Sequence, residues 1–190
     1  MAIRIFIDQG HNPQNPNSGA EGNGYREQDL VYAIGKELEA LLNADPRFEA
    51  RTSRNAPDEI LGTSTATSLA TRVNAANDWG ADWFISIHAN ASDIESASGS
   101  EAFVFDLSSR AYPLAEDILA SLSEVTGLTD RGVTARPTLY VLRKTRMPAL
   151  LLEVGFITNA DDAALMAENP ALIAQGIYQG IETFFSEDRF

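Results

Sequence analysis

The stretch "LATRVNAANDWGADWFISIHAN", residues 69–90, changes its periodicity partway along. Leu69, Val73 and Ala76 recur at the spacing of one helix face, and Gly80 suits the position just past a last helical turn. "DWFISIHAN" follows directly as a strand, mostly apolar and closing on His88. A helix delivering the chain straight into a buried strand is the repeating unit of α/β proteins.

Outward from this stretch the same alternation recurs. "IRIFI" (3–7) is short and β-branched and stops at "DQG", as a buried strand does. Leu30, Ile34, Leu38, Leu41 and Leu42 mark one face of a helix starting near Glu27. "FEARTSR" (48–54) alternates like a strand, and "SEAFVFD" (100–106) reads as another. Leu114, Ile118 and Leu122 predict a helix ending near Gly127. "TLYVLR" (138–143) and "ALLLEV" (149–154) are expected as two further strands. Asn169 followed by Pro170 opens a last helix through Ile173, Ile177, Ile181 and Phe184. Residues 12–24, rich in Pro, Asn and Gly, and residues 62–68, rich in Ser, Thr and Ala, read as surface loops. The pattern predicts one α/β layer structure with a largely parallel sheet.

Composition bounds what such a domain can do. The 190 residues suit one domain, with an apolar fraction of 44% and a charged fraction of 22% typical of globular chains. There are 27 acidic and 14 basic residues, a formal charge of -13, which disfavours nucleic acid and anionic membranes as partners. No apolar run approaches the roughly 20 residues of a membrane span. The opening "MAIRIFIDQGHN" is too short in its apolar run for a signal peptide and reads as the first strand. With no cysteine in the chain, any metal site must use His, Asp and Glu.

Three strands end in chemically competent residues: "FIDQGH" in His11, "FISIHAN" in His88 and "LLLEVG" in Glu153. Ligands gather at the carboxyl ends of parallel strands, so these ends form the candidate site. The chain has only two histidines, and both fall there. Gly10 is expected to turn the backbone sharply, so that the His11 ring points back across the strand ends. Catalytic zinc takes three protein ligands and keeps one position for water. The third ligand is most simply a carboxylate: Glu27, with Glu21, Asp29 and Glu101 as competitors. Acids in a first helical turn also complement the helix dipole without any metal. Glu153 stands among apolar residues, where desolvation raises a carboxyl's proton affinity and suits it to acid/base work. Its bland alternative is a buried salt bridge to Arg143 or Arg146. "GAEGNG" lacks the Lys-Ser/Thr of a phosphate-binding loop, and no G-x-S-x-G elbow is present. Trp79 and Trp83 are read as core residues.

Several segments together, "IFIDQGHN", "GNGYREQDLVYAI", "LATRVNAANDWGADWFISIHANAS", "SGSEAFVF" and "LYVLRKTRMPALLLEVGFITNADDAALM", resemble the zinc-dependent N-acetylmuramoyl-L-alanine amidases of autolysins, sporulation lysins and phage endolysins. The resemblance covers nearly the whole chain in order. It implies an open, twisted, mixed sheet of about six strands with helices on both faces, of the phosphorylase/hydrolase-like kind. It also implies one Zn2+ per chain held by His11, Glu27 and His88, with Glu153 as the catalytic acid/base. Asn90 and Glu101, beside strand ends, are candidate substrate contacts. The implied reaction is hydrolysis of the amide between N-acetylmuramic acid and the L-alanine of the stem peptide, at the bacterial cell wall. The alternatives are a zinc peptidase cutting within the stem peptide and a non-catalytic peptidoglycan-binding module. Residues 1–190 are read as a single catalytic domain without a wall-binding module, and a separate module is the expected partner. Asn12 stands where the family usually has glycine, so the loop after His11 is expected to have its own shape.

Overall fold

Strand alternation sorts the side chains of this chain onto two faces of one sheet, and the helices follow from that sorting. The structure, a computed structural model, describes residues 2–186. In chain order the elements are β1 (Ile3–Gln9), β2 (Glu21–Gly22), β3 (Tyr25–Arg26), α1 (Glu27–Ala44), β4 (Phe48–Thr52), α2 (Thr65–Trp79) and β5 (Trp83–Asn90). They continue with β6 (Ser100–Val104), α3 (Ala111–Thr126), β7 (Asp130–Ala135), α4 (Tyr140–Lys144), β8 (Ala149–Phe156), α5 (Ala160–Glu168) and α6 (Pro170–Ser186).

Six strands form one sheet in the order β4-β1-β5-β8-β6-β7, while β2 and β3 make a small separate hairpin. The pairs β4–β1, β1–β5 and β5–β8 are parallel, β8–β6 is antiparallel, and β6–β7 is parallel again. The sheet is therefore mixed and open, as the resemblance implied. On one face, Ile5, Ile7, Ile85, Ile87, Leu150 and Leu152 pack against α1, α3 and α6. Gly180 lets α6 sit tight on α3, since a Cβ there would lie 2.4 Å from Ile118 Cα. On the other face, Phe6, Phe84, Phe103 and Leu151 are covered by Val73 and Ala76 of α2 and by Val141 and Leu142 of α4. Trp83 is buried in the first of these clusters and Trp79 packs against the second.

Gly80 and Gly127 end α2 and α3 in the left-handed conformation, with φ of 70° and 76°. Other expectations need correction. Residues 138–143 do not form a strand; they hold the short helix α4, closed by the Arg143 amide donating to Leu139 O at 3.0 Å. Its consecutive residues Val141 and Leu142 are both buried on one side, which a strand cannot arrange. The sheet position beside β6 belongs instead to β7, whose polar, half-exposed sequence suits an edge and gives little periodic signal. Residues 62–68 are only partly a loop, because α2 starts at Thr65. Ser64 caps it, accepting from the Thr67 amide at 3.2 Å while Thr67 Oγ1 accepts from the Ser64 amide at 2.8 Å. The Ser/Thr content that suggested a loop is a capping box. The helix α5, capped by Asn159, and the β2–β3 hairpin, which begins in residues 12–24 and ends beyond them, were not anticipated.

Candidate metal centre and its carboxylates

The register places His88 of β5 opposite Glu153 of β8, and Glu153 opposite Glu101 of β6. One polar row thus crosses three adjacent strands, pointing to the face that α2 and α4 cover. The next row inward, Asp8, Ser86, Leu151 and Phe103, is buried. His11 follows β1, and Glu27 opens α1 and reaches over the strand ends from the opposite layer.

Glu27 Oε1 lies 3.0 Å from His88 Nδ1 and 3.2 Å from His11 Nε2, and it accepts a bond from the Ala89 amide at 3.1 Å. Glu27 Oε2 accepts from the Ala20 amide at 3.0 Å. The three side chains form a group whose donor atoms all lie within 4.8 Å of one another. A tetrahedral zinc site with bonds of about 2.0–2.1 Å needs ligand atoms about 3.3 Å apart. The two contacts of Glu27 match that spacing, and the group as a whole could hold one small cation. The competitors do not join it: Glu21 is exposed, Asp29 pairs with Arg26 at 2.7 Å, and Glu101 accepts from Asn90 Nδ2 at 2.5 Å.

Electrostatics favour the same reading. Burial works against a charged His88, but its bond to Glu27 and the charges of Glu27, Glu153 and Asp8 outweigh it and raise the imidazole's pKa. Burial likewise pushes Glu27 upward, yet the bonds to His11 and His88 hold its carboxyl well below the usual range. A pocket that holds its carboxylate ionised and draws protons onto an imidazole is one that demands positive charge.

Glu153 behaves differently. Its Oε2 is buried without a hydrogen-bond partner, and no ion pair joins it to Arg143 or Arg146 among the described residues. Burial raises its pKa to about 7; the charge on His88 opposes this, while Glu27 and Glu101 add to it.

Two supports escaped the sequence reading. Gly10 does not adopt a positive φ; it is His11 itself, at φ 65°, that turns. Gly10 is instead where the His88 ring packs, since a Cβ there would lie 2.5 Å from Cε1 and 2.7 Å from Nε2. The second support is Arg72, fully buried in α2. It donates to Asp8 Oδ1 at 2.7 Å, to the carbonyls of Gln9 and His11, and to Asn12 Oδ1 at 3.2 Å. Burial would raise the pKa of Asp8, but the charge and bond of Arg72 hold it below the ordinary value. A signal was available, because Arg72 falls on the same helix face as Leu69, Val73 and Ala76. Asn12 is also buried: its side chain donates to Pro16 O and Leu61 O at 2.7 and 3.0 Å and accepts from the Leu61 amide at 3.1 Å. The loop after His11 is thus cross-linked through Asn12, the position where the family resemblance led us to expect a loop shape of its own.

Beside the two imidazoles lies a cavity of about 140 Å³, walled by Leu69, Leu139, Tyr140 and Leu151. Asp8, Asn17 and Arg72 also line it, so it is a small mixed recess next to the polar row.

A family model described as N-acetylmuramoyl-L-alanine amidase matches residues 5–183. The chain is 38% identical to the N-acetylmuramoyl-L-alanine amidase LytC of Bacillus subtilis, over 95% of this chain and 35% of that protein. It is 32% identical to the sporulation-specific N-acetylmuramoyl-L-alanine amidase of the same organism, over 97% of this chain and 69% of that one. It thus spans about a third of the length of the first and about two thirds of the second. Among solved structures, the catalytic domain of the amidase CwlV from Bacillus (Paenibacillus) polymyxa var. colistinus matches with a TM-score of 0.83 and 32% identity, covering 97% of this chain and 98% of that one.

Proposed function

The chain belongs to the N-acetylmuramoyl-L-alanine amidase family, and on that premise we propose that it is a single zinc-dependent catalytic domain. It hydrolyses the amide between N-acetylmuramic acid and the L-alanine of the stem peptide. The observation that carries this reading is the convergence of His11, Glu27 and His88 beside a carboxyl group, Glu153, whose pKa is raised to about 7.

His11, Glu27 and His88 hold the zinc ion, which when bound supplies Lewis acidity toward the amide carbonyl and increases the acidity of water at the site. Glu153 does the proton work. It takes a proton from the attacking water and delivers it to the departing alanine nitrogen, which would otherwise leave as an unstable anion. A carboxyl poised near neutrality can accept and return a proton with little cost in either direction. Glu101 is the neighbour of Glu153 in the register, and its Oε2 accepts no hydrogen bond among the described residues. With Asn90, which fixes its other oxygen, it offers an acceptor to N–H groups of the substrate. The domain acts at the bacterial cell wall on peptidoglycan, and a separate wall-binding module supplies affinity for the polymer.

The test is mass spectrometry of peptidoglycan fragments after digestion, with metal removed and then zinc restored. The expected products are intact stem peptides with a free L-alanine amine and no new reducing ends. Cuts within the stem would make the domain a peptidase. Absence of any product with zinc restored would leave it a binding module.

A further inference from the structure

The chain's acidity is unevenly distributed. Residues 130–149 carry Arg131, Arg136, Arg143, Lys144 and Arg146 against Asp130 alone, in a molecule of net charge -13. Arg143 and Arg146 line a cavity of about 340 Å³ with Arg110, walled by Phe105, Leu142 and Met147. This cavity adjoins Ala149, at the opposite end of β8 from Glu153, and four residues of strand place it about 13 Å from the polar row.

Acids outnumber bases almost two to one, so surface cations here would be expected to find carboxylates. Arg4, Arg26, Lys36, Arg47 and Arg51 all do, whereas the cations of residues 130–149, including Arg143 and Arg146, form no ion pair among the described residues. Asp106, next to Phe105, accepts instead from the amide and hydroxyl of Ser108 at 2.8 and 2.6 Å. The turn that carries the two arginines is fixed. The Asn77 side chain of α2 donates to Lys144 O at 3.2 Å and accepts from the Arg146 amide at 2.9 Å. Arg110 lies against the Trp83 ring, its guanidinium carbon 5.6 Å from the centroid. All three lining cations are arginines, whose planar forks suit bidentate recognition of the oxygens of a phosphate group.

We propose that this cavity is a binding site for a phosphate group, gripped by Arg143 and Arg146 with Arg110 behind them. The site is separate from the metal centre and does not depend on the catalytic reading. The group is either free phosphate or a phosphodiester within an anionic polymer. In the polymer case the site would tether the domain by the end remote from its polar row.

The test is a titration of the chain followed by backbone amide shifts, with and without a chelator so that binding at the metal centre is recognised by its position. The probes are inorganic phosphate, an oligomer of phosphodiester-linked glycerol, and poly-glutamate as a carboxylate control. Saturable shifts confined to residues 105–110 and 142–149 are expected with one or both phosphate probes. The tighter of the two identifies the source. Replacing Arg143 and Arg146 by Gln should weaken binding by about tenfold for each charge-assisted bond lost. Arg136→Gln, outside the cavity lining, should leave it unchanged, and both variants should keep the wild-type spectrum elsewhere. No saturable shift with either phosphate probe, an unaffected double variant, or equal binding of poly-glutamate would each overturn the proposal.

Discussion

Glu153 holds its proton to about pH 7 because its strand buries it, and that has a thermodynamic sign. The unfolded chain releases this proton in the ordinary carboxylate range. Between there and neutrality the folded state binds more protons, so stability falls as pH rises. In the metal-free protein, Glu153→Gln removes this penalty. The variant should be more stable than the parent by roughly 3 kcal/mol above pH 8, with the gap closing near pH 4. Urea unfolding at a series of pH values measures it, and parallel curves would mean that the carboxyl ionises normally. The same substitution should leave zinc content intact while lowering amide hydrolysis by at least about 100-fold. At Gly10, alanine would drive a Cβ into the His88 ring. Zinc affinity of Gly10→Ala should fall by about 10- to 100-fold, the range seen when a ligand's support is disturbed, and a chelator competition titration reads it directly. Gly10 shows where sequence reasoning reaches its limit. That a glycine stood before His11 was plain, but its use is set by a ring 78 positions away.

At the level of elements, Arg72 ties α2 to the end of β1 by contacts with Asp8, Gln9, His11 and Asn12. Arg72→Met would leave the Asp8 charge buried without its partner. A loss of about 3–5 kcal/mol is expected in denaturant unfolding, and Asp8→Asn added to it should recover part of that loss. If Arg72→Met unfolds like the parent, the clamp contributes nothing. Most elements were legible because their periodicity is strong, as in α1, α6 and the apolar β8. The edge strand β7 was not, since one solvated face and few apolar residues leave no pattern to read. The stretch holding α4 misled because valine, leucine and tyrosine favour strands only when alternate positions are buried. Both histidines and Glu153 could be read from strand ends. Glu27 could be separated from Glu21, Asp29 and Glu101 only by the family resemblance, because nothing local says which acid of a loop and a first turn reaches the imidazoles.

For the whole molecule, a charge of -13 opposes approach to an anionic polymer over a distance set by salt. That range shrinks from about 30 Å at 0.01 M to about 10 Å at 0.1 M. Hydrolysis of intact walls at limiting substrate should therefore speed up severalfold across that interval, whereas hydrolysis of a small soluble muramyl peptide should not. Equal responses of the two substrates would show that net charge does not govern encounter. The strand order carries a further consequence, one of timing. β8 is the last of the six sheet strands in chain order, yet it occupies the middle of the sheet, with β5 on one side and β6 on the other. Until it arrives, the nascent chain has two sheet segments with open edges and no continuous core between them. The imidazoles of His11, just after β1, and His88 of β5 can meet early, but the acid beside them comes only with the closing strand. Fragments ending before residue 149 should thus be sticky and inert together, their unpaired edges free to recruit neighbouring chains during synthesis.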